Sequence, residues 1–203
     1  MKIGIEINGV LRDTIGKIKS TYEKFLIGSE DENSESTFNY SISEPIDSLD
    51  LKSHFSFQSD DEYYEFLYEE FPMEIFGHSM SSEMNTFNDF NSFYIDNRDK
   101  HQIYIISDEI GKSKPATLFF LAKFGCLIEN YIFYNETNKN EVLSGFDLIV
   151  TSNPNIIIDY SDNINIIKFN TQYNQKIKCD YDIDKISELH EKLITLENDK
   201  IIR

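Results

Sequence analysis

The chain has 203 residues and a formal net charge of -17, long enough for one domain with a sizeable core and a small inserted subdomain, and too acidic to favour a nucleic-acid backbone, which needs clustered Lys and Arg. Its two cysteines, Cys126 and Cys179, lie far apart without metal-ligand spacing, so small apolar fillers in a reducing compartment are expected rather than a disulfide framework. No signal peptide precedes Ile3 and no apolar run nears the roughly 18 residues of a membrane span, which makes cytoplasm the expected location and excludes a membrane partner.

The chain opens with Ile3, Ile5 and Ile7 alternating with other residues and closing on Asn8-Gly9, a buried strand ending in a tight turn. Glu6 and Asn8, two apart at its carboxyl end, share a face. Asp13 or Thr14 can cap a helix carrying Ile15, Ile18, Tyr22 and Phe25 at three-and-four spacing, ending near Gly28. From Ser29 to Asp50 the composition turns to Ser, Glu, Asp and Asn, with Glu30-Asp31-Glu32 and Pro45, and a surface loop is expected. Helices follow over about Ser59 to Phe71, stopped by Pro72, and over about Ser81 to Asn97, using Met84, Phe87, Phe90 and Tyr94. Together, residues 14–97 are expected to form a helical cap inserted into an α/β core made of 1–13 and 98–203.

Strand and helix then alternate. Strands are predicted at Ile103–Ile106, Tyr131–Tyr134, Asp147–Val150 and Ile164–Phe169, with a helix from Pro115 to Gly125 that is apolar nearly all round and so well buried. A short helix covers about Asn140 to Ser144. At the end, Ile186, Leu189, Leu193 and Leu196 form one stripe of a charged helix expected to dock on the domain's own core. This alternation predicts an α/β fold with a parallel sheet covered on both faces.

In such a sheet, ligands bind above the carboxyl ends of the strands. Those ends supply Glu6, Asn8 and Gly9, then Ser107, then a Lys112/Lys114 pair opening the next helix, and later Thr151-Ser152-Asn153-Pro154. This is a phosphate-handling layout, in which Ser107 would donate to a phosphoryl oxygen and Lys114 would neutralise it.

In order and spacing, Glu6-Ile7-Asn8-Gly9-Val10-Leu11, Ser107, Lys114-Pro115 and Thr151-Ser152-Asn153-Pro154 make the chain resemble the haloacid dehalogenase (HAD) superfamily of phosphohydrolases. Its 5'(3')-deoxyribonucleotidase-like branch is the most similar, and the likeness runs over nearly the whole chain. The resemblance implies a HAD-like, Rossmannoid sheet with a small cap. It also implies a nucleophile position at Glu6, an acid/base position at Asn8, phosphate binding by Ser107, Lys114 and the Gly9 turn, and magnesium positions at Glu6, Asn8, Thr151 and Ser152. Lys114 is preferred over Lys112 because Lys-Pro is the form common in the family.

The departures fall on the chemistry. The family has Asp where Glu6 stands, and the extra methylene moves the carboxylate by roughly a bond length, where about 1 Å can cost on the order of a hundredfold. Asn8 replaces the second Asp and cannot shuttle a proton. Thr151 and Ser152 replace paired acids and are poor magnesium ligands. Asp13, Asp108, Asp147, Asp159 and Asp162 are candidate substitutes, with Asp147 at the wrong end of its strand and Asp159 and Asp162 in a loop past Pro154. His54, His78, His101 and His190 share no spacing and read as surface or satisfied histidines.

The expected function is therefore a catalytically degenerate, pseudophosphatase HAD-like protein with no cofactor. It would act either by binding a phosphorylated small molecule or nucleotide without hydrolysing it, or through its surface in a protein complex or virion. The AT-rich-looking composition and the family's presence in phage genomes keep a phage-encoded protein among the expectations. The alternative is an active Mg2+-dependent 5'-nucleotidase on deoxynucleoside monophosphates.

Overall fold

The computed structural model describes residues 1–28 and 38–202. The acidic cluster Glu30-Asp31-Glu32 lies outside the described residues. Six strands, β1 (Lys2–Glu6), β2 (Gln102–Ser107), β3 (Tyr131–Phe133), β4 (Leu148–Thr151), β5 (Asn165–Phe169) and β6 (Tyr181–Ile183), form one sheet in the order β3-β2-β1-β4-β5-β6. Every pairing is parallel, as the strand and helix alternation predicts. β6 escaped the sequence reading because Tyr181-Asp182-Ile183 is too short to show a period.

Residues alternate across the sheet, and the two faces take different helices. Ile3, Ile5, Ile103, Ile105, Leu148 and Val150 share a cluster with Phe87, Phe90 and Phe93, with Phe120, and with Leu189, Leu193 and Leu196. Ile106, Ile149 and Ile166 face the other way, onto Leu143, Ile156 and Ile157. Each fully buried apolar side chain of this kind contributes roughly 1.5–3 kcal/mol. The terminal stripe docks on the core as expected, with Ile186, Leu189, Leu193 and Leu196 all buried.

The helices are α1 (Thr14–Tyr22), α2 (Leu51–His54), α3 (Asp60–Glu65), α4 (Thr86–Asn97), α5 (Ser113–Lys123), α6 (Lys139–Leu143), α7 (Pro154–Tyr160) and α8 (Leu189–Ile202). Asp13 caps α1, accepting from the Gly16 amide at 3.0 Å, and Ser59 caps α3, accepting from the Glu62 amide at 3.1 Å. Wider helical turns extend α1 over Glu23–Ile27 and α3 over Phe66–Glu70. Pro72 does not end the helical region but begins another turn, Met73–Gly77, because proline lacks the amide that a first-turn position leaves unused anyway.

Three expectations change. The helix predicted from Ser81 begins at Thr86, since Ser82 is held by residues just past the first strand, its amide by the Leu11 carbonyl at 3.1 Å and its hydroxyl by the Val10 carbonyl at 2.7 Å. Met84 is accordingly 96% exposed. α5 is not buried all round, because Leu118 and Phe119 face outward. Asp159 lies in α7 rather than in a loop. Pro154 is the first residue of that helix and Asn153 is its cap, the Asn-Pro pattern being a helix start.

Within the segment 14–97, the helices divide. Ile18, Tyr22, Phe55, Phe66, Leu67, Ile75 and Phe76 form a separate apolar cluster with Ala116 of α5, and Tyr22 sits at its centre against Phe55, Phe57 and Phe66. α4 instead packs on the sheet. The two passages into and out of the insertion lie side by side, the Asp13 amide donating to the Met80 carbonyl at 3.0 Å and the Ser79 hydroxyl to the Asp13 carbonyl at 3.0 Å.

Candidate active site

Chain order reverses at β1, with β2 on one side and β4 on the other. The carboxyl ends of β1 and β4 therefore flank the switch point where parallel sheets place ligands. Ile5 pairs with Val150, which puts Glu6 and Thr151 together at that edge. A cavity of about 250 Å³ opens above them, lined by Glu6, Asn8, Gly9 and Ser152 from the sheet and by Ile15, Leu67 and Phe76 from the cap. A larger depression of about 810 Å³ lies at the opposite edge, around Asn165 and Asp182 at the lower ends of β5 and β6. It holds Asp162 and is remote from the motif residues.

Glu6 is 2% exposed. Its carboxylate accepts the Thr151 hydroxyl. Burial first, and the neighbouring Asp108 charge second, push its carboxyl up to about 8 in spite of hydrogen bonds from Thr151 and Asn153. Burial therefore favours the protonated form of this group over the free carboxylate.

Asn8 is fully engaged. Its amide nitrogen donates to Asp108 at 3.2 Å and reaches the Ser107 hydroxyl at 3.5 Å, while its side-chain oxygen accepts from Thr14 at 2.7 Å and from Arg12. Ser152 donates to the Asn8 carbonyl at 3.1 Å and meets the Tyr173 hydroxyl at 2.9 Å. Gly9 lies at φ +74°, and a Cβ there would stand 2.1 Å from Tyr173 Oη and 2.3 Å from Ser152 Oγ. The turn thus needs glycine both for its backbone and for its neighbours.

The sequence reading missed Arg12, although an arginine directly after Val10-Leu11 was the signal. It is fully buried and forms an ion pair with Glu109, which also accepts from Thr117. It donates further to the Phe76 carbonyl at 3.0 Å and to Thr117 at 2.7 Å. Burial pushes the Glu109 carboxyl up, and the Arg12 guanidinium opposes this. Tyr134, Tyr173, Glu136 and Lys139 also line the cavity. Tyr134 closes the apolar run that begins in β3, whereas Tyr173, Glu136 and Lys139 sit on loops and a short helix where no period marks them.

The remaining expected residues divide between the site and places away from it. Ser107 is buried at the end of β2 and touches Asn8. Lys114 Nζ lies over the Phe133 ring, 5.6 Å from its centroid, and is absent from the cavity wall. Lys112 pairs with Glu69 at 2.7 Å. Asp108 lines the cavity; Asp13 is occupied as the α1 cap. Asp147 accepts the Lys2 amide at 2.7 Å at the opposite edge, as its place at the strand's start predicts. Asp159 and Asp162 do not reach the cavity, because α7 carries the chain away from it. None of the four histidines lines it either; His54 bonds Ser48, His101 pairs with Glu197, and His190 meets Asn97.

The residues at the magnesium positions do not fit that ion. Thr151 and Ser152 spend their hydroxyls on Glu6 and on the Asn8 carbonyl, and neither can supply the carboxylate oxygen that magnesium takes from a protein. Among the described residues no group of three or more His, Cys, Asp and Glu side chains is arranged to hold a metal ion. Among them, too, no helix is long and apolar enough to cross a membrane.

No protein-family model and no curated protein matches the sequence. Solved structures do match. A haloacid dehalogenase-like hydrolase from Burkholderia xenovorans LB400 aligns over 93% of this chain and 94% of its own, with 9% identity and a TM-score of 0.52. The chain's fold is haloacid dehalogenase-like. The β-phosphoglucomutase of Clostridium difficile gives the same result, at 16% identity, a TM-score of 0.55, and coverage of 100% of this chain and 99% of that one. With this fold fixed, Glu6 occupies the end of the central strand, and the cap cluster closes the space above it.

Proposed function

We propose that the protein is a catalytically degenerate HAD-like domain that binds a small molecule in the cavity above β1 and does not hydrolyse phosphate esters. The environment of Glu6 carries this reading. A nucleophilic carboxylate must be ionised, and Glu6 is desolvated, hydrogen-bonded to Thr151 and pushed up to about 8. Asn8, two residues on, is fixed by Arg12, Thr14 and Asp108 and cannot give or take a proton at neutral pH. The loss of general acid/base work alone removes roughly a hundred to ten-thousand-fold of rate.

The rival reading is an active magnesium-dependent nucleotidase. It would have to draw its proton transfer from Asp108, the cavity carboxylate hydrogen-bonded to Asn8. Release of inorganic phosphate from deoxynucleoside monophosphates with magnesium separates the two. The expected result is no release above the enzyme-free blank. Robust turnover that disappears in Glu6→Gln would overturn the proposal.

A further inference from the structure

The cavity above Glu6 has walls of opposite character. On the cap side Ile15, Ile18 and Leu67 present apolar side chains. On the sheet side the remaining formal charges are Asp108 and Glu136 against Lys139, since Glu6 is buried against Thr151 and Glu109 is already paired with Arg12. Tyr134 lines the same cavity. Its ring is buried, 3% exposed, among Ile106, Leu143 and Ile149, and its hydroxyl has no hydrogen-bond partner among the described residues. That hydroxyl lies within electrostatic reach of Glu6, Asp108 and Glu136. A buried hydroxyl without a partner is costly, and a ligand's polar group at this place would relieve the cost.

The sign of the charge selects the ligand. A phosphate dianion would meet two carboxylates and one lysine, in a chain of net charge -17, with Lys114 turned onto Phe133 instead. A cation meets the reverse balance. We propose that the cavity takes a small organic cation, an amine with an apolar body, its ammonium facing Asp108 and Glu136 and donating to Tyr134 Oη, its body against the cap. This rests on the reading of the domain as a binder rather than a hydrolase.

Three matched probes test it by isothermal titration against the full chain: 2-phenylethylamine, 2-phenylethanol and 2-phenylethyl phosphate. The amine is expected to bind, the alcohol more weakly, and the phosphate ester not measurably. Asp108→Asn and Glu136→Gln, both at exposed positions, should each weaken the amine about fivefold, as for one partly exposed charge contact, and Tyr134→Phe should weaken it with the ring retained. Tighter binding of the phosphate ester than of the amine overturns the proposal, as does no amine binding at millimolar concentration or amine affinity unmoved by all three variants. Phosphate released from the ester would sink the non-hydrolytic reading separately, whichever probe binds.

Discussion

The Thr151 hydroxyl donates to the Glu6 carboxylate across the junction of β4 and β1, where an ionised, metal-bound pair of acids would be needed for phosphoryl transfer. A hydroxyl and a buried carboxyl meet instead at the centre of the sheet edge. Burial then favours the protonated carboxyl, because desolvation penalises the charged carboxylate.

That protonation makes stability depend on pH. The folded carboxyl is raised from the ordinary 4.5 to about 8, so the native state holds a proton that the unfolded chain releases. Its contribution is fully present below about 4.5, declines as pH rises and is lost through about 8. Urea midpoints should therefore fall across this window by an amount worth a few kcal/mol, at about 1.4 kcal/mol per unit. Glu6→Gln, which keeps an oxygen for Thr151, should flatten the dependence. A wild-type midpoint unchanged over the window would refute the buried protonated state.

Restoring the family's acids tests the site assignment. The triple variant Glu6→Asp, Asn8→Asp and Ser152→Asp should release phosphate from deoxynucleoside monophosphates with magnesium, at least about a hundredfold above wild type. Failure in a folded triple variant would mean that these positions do not correspond to the family's acids.

Arg12 and Glu109 form a buried pair held by several hydrogen bonds. Removing one member leaves the other charge uncompensated, so Arg12→Leu or Glu109→Leu alone should cost about 3–5 kcal/mol in denaturant unfolding. The double variant should recover a substantial part. Equal losses in single and double variants would show that the pair acts only through packing.

Gly9→Ala should destabilise the domain by about 1–3 kcal/mol through its positive φ, and more through the approach to Tyr173 and Ser152. Adding Tyr173→Ala should return the steric share but not the backbone share. A Gly9→Ala variant as stable as wild type would contradict the turn geometry.

Much of this arrangement was legible in the sequence because it rests on period and punctuation. Ile3, Ile5 and Ile7 announced the central strand, and the Leu189, Leu193 and Leu196 stripe announced a helix docked on the core. Glu6 and Gly9 stand where a strand end and a turn leave local marks, and both line the cavity. Met84 misled because its apolar character suggested a helix face, whereas Ser82 was already bound to Val10 and Leu11. The direction of Lys114 was not legible, because a lysine beside a proline says nothing about which way a long side chain turns, and here it lies over Phe133. Tyr134 closes an apolar run that the sequence does mark, whereas Tyr173 and Lys139 gave no signal, since the cavity gathers them from separate segments through tertiary packing alone.

Arg12 also joins the sheet to what covers it. From one guanidinium it holds Asn8 and Glu109 below and the Phe76 carbonyl of the cap above. Swinging the cap outward would strand a buried charge and break these bonds together, an opening far costlier than thermal motion supplies on fast timescales. Arg12 therefore latches the covering turn to the sheet edge, and the two should loosen together rather than one at a time.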